Sequence, residues 1–178
     1  RRAVPSSFPD PEFAPPRLSA VCMLVDGYRW ERHVLELLLP EGWRGFVPLP
    51  QDDSFYISRD FDQLVDSPVH AGSFEDCAFI VDGCHHSLLL IGSPPTGWPD
   101  TLVADIEAVC GAAASLMGES PPSGDRYQLV IQMLDSGYGG LEHNDGAVLQ
   151  FAWPALAEPN GYHQLLQLVG HEYLHQWN

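Results

Sequence analysis

The segment His171-Glu172-Tyr173-Leu174-His175 sets two imidazoles four residues apart with a carboxylate directly after the first. On an α-helix a separation of four is about 6 Å of rise and nearly one full turn, so both rings leave the same side and can meet one cation. Zinc accepts neutral imidazole nitrogens at about 2.0–2.1 Å and, in catalytic sites, keeps one position for water. Glu172 lies about 100° around the helix from His171, placed to take a proton from that water without being a ligand. So short a pattern also arises by chance, in on the order of a per cent of chains of this length. A metzincin would continue to a glycine at position 178, where this chain has Asn178. A third ligand to the single zinc ion is therefore expected from an acidic residue on a later helix, beyond residue 178.

The element that must position these groups is readable around them. Tyr162, Leu165, Leu166, Val169 and Tyr173 recur on one face of a helix that Asn160 can cap, with Pro159 just outside and Gly170 the one weak helix former. An amphipathic helix carrying the motif on its polar side is more than coincidence supplies. Upstream, Leu102, Ile106, Val109, Ala113 and Leu116 predict a helix over 101–117, with Asp100 or Thr101 as cap. "RYQLVIQML" at 126–134 and "AVLQFAW" at 147–153 read as strands.

From Arg17 to about Ile91 the signals are those of antiparallel strands. "RLSAVCMLV" and "YRWERHVLELLL" flank the turn candidate Asp26-Gly27, and "CAFIV" and "CHHSLLLI" flank Asp82-Gly83. The stretch "DSFYISRDFDQLVDSPVHAGSFED" is expected to be irregular cover over a sheet face. "GSPPTGWPD", residues 92–100, is the expected domain boundary. The organisation is thus a proline-rich flexible lead-in at 1–16, a β domain at 17–97 and a mixed domain at 98–178. Cys22, Cys77, Cys84 and Cys110 form no C-x-x-C pair and are expected as buried free thiols. Cys84, His85 and His86 alternate along a strand, so they cannot converge on one ion.

A net charge of −16, with all eight basic residues arginine, argues against nucleic acid or an anionic membrane as partner. No run approaches the roughly 18–20 apolar residues of a membrane span. Nothing near the first residue reads as a signal peptide, which points to a cytoplasmic location.

"HEYLHQWN" at 171–178 together with "GYGGLEH" at 137–143, and more faintly "DSPVHAG" at 66–72, resembles the glycyl aminopeptidase family of zinc peptidases, within the thermolysin-like group whose third ligand is a glutamate. The resemblance covers most of residues 17–178. It implies an N-terminal antiparallel β-sandwich followed by the first, α+β, part of a thermolysin-like catalytic domain ending in the zinc helix, with a helical part and often a PDZ domain to follow. It implies that His171 and His175 bind zinc, that Glu172 is the base, and that "GGLEH" is an edge strand lining the cleft for a peptide substrate. Glu142 would then take the free α-amino group of a peptide beginning with glycine or alanine, while Gly139 and Gly140 allow close backbone approach and His143 helps hold the amine or the oxyanion. Gly146-Ala147 departs from the serine or threonine common after that strand. A zinc endopeptidase on the same scaffold and a non-catalytic β-sandwich binding module are the alternatives. With no third ligand in the sequence, the 178 residues are expected to be a fragment that binds zinc weakly and hydrolyses little.

Overall fold

The computed structural model describes residues 13–14 and 17–178. The lead-in read over residues 1–16 lies outside the described residues, apart from Phe13–Ala14. The chain forms two compact units, one reaching to Ser73 and including His143–Asp145, the other comprising Phe74–Glu142 and Gly146–Asn178.

The first unit runs through β1 (Phe13–Ala14), α1 (Leu18–Val21), β2 (His33–Glu36), β3 (Arg44–Phe46), β4 (Gln51–Asp52), β5 (Phe55–Ser58), α2 (Phe61–Asp66) and β6 (His70–Gly72). These make two three-stranded sheets, β1-β6-β3 and β2-β5-β4, with antiparallel pairings throughout. Leu18, Val47, Leu49, Tyr56, Leu64 and Val69 form a small core. Two expectations are corrected here. The hairpin read across Asp26-Gly27 does not form, because Met23 and Val25 are 89% and 63% exposed and "VCMLV" has no partner strand to cover it. The segment read as irregular cover instead holds β5, α2 and β6, with Asp60 capping α2 by accepting from the Gln63 N–H.

The second unit is built on a mixed sheet of five strands in the order β10-β11-β9-β8-β7. Its strands are β7 (Glu75–Val81), β8 (Cys84–Ile91), β9 (Arg126–Leu134), β10 (Tyr138–His143) and β11 (Gly146–Ala152); its helices are α3 (Leu102–Met117), α4 (Trp153–Leu156) and α5 (Gly161–Leu174), followed by a 3₁₀ turn at His175–Trp177. β7 and β8 form the expected antiparallel hairpin, Val81 opposite Cys84. β8, however, runs parallel to β9, which is parallel to β11. Parallel neighbours need a crossover, and α3 supplies it. The expected boundary at 92–100 is therefore corrected: the proline and glycine residues there connect β8 to its own crossover helix, and the division falls after Ser73.

Burial explains the strand sequences. β9 is buried along seven consecutive residues, as a central parallel strand must be, and reads as a continuous apolar run interrupted by glutamines. Leu88, Leu90, Leu129, Ile131, Leu149 and Phe151 pack in one core with Ile106 and Cys110 of α3 and Leu165, Val169 and Tyr173 of α5. Gly170 now has a reason, since a β-carbon there would stand 3.3 Å from the Val109 Cγ1 where α3 meets α5. Thr101 and Asn160 occupy the N-cap positions of α3 and α5 without making a side-chain cap bond. All four cysteines are free; Cys84 and Cys110 are buried, whereas Cys22 and Cys77 are half-buried, against the expectation that all four are covered. Among the described residues no helix is long and apolar enough to cross a membrane.

Candidate metal centre

His171 lies in the last turn of α5 and His175 opens the 3₁₀ turn, whose first residue keeps helical backbone angles of φ −61° and ψ −15°. The spacing of four thus survives the change of helix type. The two rings stand edge to face with centroids 4.9 Å apart, and their Nε2 atoms approach to 3.3 Å. Two nitrogens each about 2.0–2.1 Å from a tetrahedral zinc are separated by about 3.3 Å. The donor pair therefore fits one zinc ion, at a separation that a direct hydrogen bond between the two imidazoles also satisfies.

Glu172, between the two histidines in sequence, is 5% exposed. Burial pushes its carboxyl above the ordinary glutamate range; His171 and His175 pull the other way, and Glu142 adds to the rise. Glu142, Glu172 and His175 each bring one ligand atom to within 4.8 Å of the others, and this is the one such group among the described residues. The carboxylate of Glu142 is exposed while that of Glu172 is covered, so the two acids sit at different depths of the same site.

β10 supplies Glu142 and forms one edge of the sheet. It is joined to β11 by Asn144 and Asp145 alone, a two-residue link that only antiparallel neighbours allow. Gly139 has φ +153°, which a side chain resists. Gly140 is needed for space: a β-carbon there would overlap the carboxylate of Glu172. The glycine pair thus does two separate jobs, one conformational and one steric.

His143, the last residue of β10, has a hydrogen-bond partner of its own. Its Nδ1 donates to Asp66 Oδ1 at 3.2 Å, and the neighbouring Asn144 N–H donates to Asp66 Oδ2 at 2.8 Å. Burial alone would raise the Asp66 carboxyl, but these bonds from His143 and Asn144 outweigh it and hold the acid below its ordinary value. One nitrogen of the His143 ring is thus held by Asp66. Asp66 itself went unnoticed in the sequence, although "DSPVHAG" begins with it.

Residues 2–73 match the peptidase M61 N-terminal domain, and that match ends where the first compact unit ends. Among solved structures the chain is similar to an aminopeptidase N family protein from Idiomarina loihiensis, with a TM-score of 0.86 and 26% identity over 97% of this chain. The chain spans 32% of that protein's length. No curated protein sequence matches. The N-terminal portion of this chain is thus similar to the N-terminal domain of the M61 peptidases.

Proposed function

We propose that the protein is a zinc-dependent aminopeptidase that removes small N-terminal residues, glycine or alanine, from peptides, on a thermolysin-like catalytic domain. The observation that carries this reading is the 3.3 Å approach of the His171 and His175 Nε2 atoms close to the buried carboxylate of Glu172. His171 and His175 would hold the ion. Zinc, when bound, supplies a Lewis acid for a peptide carbonyl and lowers the pKa of water. Glu172 acts as the base: its carboxylate oxygen takes the proton of the attacking water and returns it to the departing amine. The upward pull of burial on Glu172 suits that exchange, since a base works best with a pKa near the working pH. The open edge of β10 offers backbone groups to an extended peptide, and Gly139 and Gly140 let it come close. Glu142, exposed on that strand and within 4.8 Å of His175 and Glu172, is placed to pair with a free α-ammonium group.

The test compares an alanyl or glycyl peptide with its N-acetylated form, in the protein and in Glu172→Gln. The reading expects cleavage of the free amine, little or none of the acetylated peptide, and loss of turnover by at least about 100-fold in Glu172→Gln. Equal cleavage of both peptides would replace it with an endopeptidase, and unchanged turnover in Glu172→Gln would end it.

A further inference from the structure

A second buried group lies behind α5, away from the two histidines. Tyr173 is two residues from each of them, about 200° around the helix, so its side chain leaves from the opposite face. It is fully buried, and its hydroxyl lies 2.9 Å from the Nε2 atom of His86 on β8, itself 1% exposed. The other ring nitrogen, Nδ1, is 3.0 Å from the carbonyl oxygen of Cys84. A carbonyl can only accept, so the proton sits on Nδ1, Nε2 is bare, and the Tyr173 hydroxyl donates to it. Burial pulls the His86 pKa down to about 4, so that arrangement is fixed at neutral pH. The imidazole cannot turn aside: it stacks on Phe79 at 4.7 Å and leans on Tyr127 and Tyr173 at 5.6 and 5.5 Å.

We propose that Tyr173 and His86 are positioning residues for the metal centre, their hydrogen bond setting the roll of α5 and with it the aim of His171 and His175. The proposal rests on reading those two histidines as metal ligands. The reason is one of leverage. Side-chain tips stand about 6 Å from a helix axis, so a roll of 10° moves them by about 1 Å, several times the ±0.2 Å or so that a metal site tolerates. α5 also packs through Leu165, Leu168 and Val169, and apolar burial has no preferred direction. A hydrogen bond does, and the Tyr173–His86 bond ties the buried face of α5 to the centre of the sheet. The hydrogen bond of α5 to α3, from the Tyr162 hydroxyl to Asp105 at 2.6 Å, lies at the opposite end of the helix from His171 and His175.

The test is zinc affinity by chelator competition on the purified chain, with the visible absorption of bound cobalt(II) as a report on ligand geometry and thermal unfolding as a control on folding. Tyr173→Phe removes one hydroxyl and keeps the ring. It is expected to weaken zinc binding about tenfold, the low end for outer-shell groups, and to alter the cobalt spectrum. His86→Leu should behave as Tyr173→Phe does. His86→Gln, which keeps an acceptor for the hydroxyl, should stay within about threefold of the parent. A purely structural role would lower the unfolding temperature of Tyr173→Phe and His86→Leu while leaving their zinc affinity and cobalt spectrum at parent values, and that result overturns the proposal. If Tyr173→Phe does not fold, the His86 variants decide in its place: glutamine binding more tightly than leucine supports the pair, equal binding overturns it. A parent chain that binds no zinc at all sinks the metal-centre reading itself, and the positioning role falls with it.

Discussion

Two hairpins close the two ends of the five-stranded sheet, and they are made in different ways. β7 and β8 turn through Asp82 and Gly83, with φ of +47° and +83°, the left-handed pair that a two-residue hairpin of the right twist requires. Its specification is local, an Asp-Gly dipeptide between apolar strands. β10 and β11 turn through Asn144 and Asp145, neither of which has a positive φ. This turn is tied down by side chains far off in sequence: Asp66 accepts from His143 and from the Asn144 N–H, and the Gln63 amide donates to Asp145 at 2.9 Å. The strand with the candidate chemistry, "YGGLEH", carries two glycines and little β propensity, so it lacks the means to fix its own end. A strand with little propensity of its own takes its support from outside itself, whereas a strand with a self-specified turn does not.

The sharpest way to break the contrast is to fill the bare strand. In Gly140→Ala the new methyl meets the end of the flexible Glu172 side chain and no backbone. The fold can give way cheaply while the carboxylate cannot keep its place. Turnover of a glycyl or alanyl peptide is expected to fall about 100-fold, with unfolding free energy changed by less than about 1 kcal/mol. Wild-type turnover in this variant would show that Glu172 does not act from where it stands.

This division also explains what the sequence disclosed. β9, α3 and α5 were readable because a buried strand and an amphipathic helix announce themselves by local period, and the Asp82-Gly83 hairpin by local turn chemistry. His171, Glu172 and His175 were readable for the same reason, all three lying within two turns of one helix. Asp66, Gln63 and His86 were not, since each acts through a partner about eighty residues away and no spacing records it. Residues 92–100 misled because a proline- and glycine-rich connection looks the same between domains as between a strand and its crossover helix. Residues 21–25 misled because an apolar run needs a partner strand to be a strand, and among the described residues none pairs with it.

A smaller effect is expected from the anchor itself. Asp66→Asn keeps the shape and removes the charge that accepts from His143 and Asn144. Because the side chain is 36% exposed, the loss should be about 1 kcal/mol. The pH dependence follows from the lowered pKa of Asp66. A carboxyl depressed on folding stabilises fully above its unfolded value near 3.9, and that stability fades as pH falls through the lower folded value. Urea unfolding of parent and Asp66→Asn should therefore differ by a constant amount from about pH 5 upward and converge in more acid solution. A gap that widened as pH fell would mean that the anchor does not depend on the charge of Asp66.

The smallest effect belongs to the hairpin that holds itself. Nothing lies within 4 Å of a β-carbon added at Gly83, so Gly83→Ala tests backbone strain alone. With φ at +83° the cost should be about 1 kcal/mol, and Gly83→Asn should recover part of it, because asparagine enters the left-handed region more readily than alanine. Neither change should alter peptide turnover, since the turn closes the edge of the sheet opposite to β10 and Glu142. If alanine and asparagine cost the same, something other than the left-handed backbone fixes this turn, and the contrast between a self-made hairpin and a supported one loses its local half.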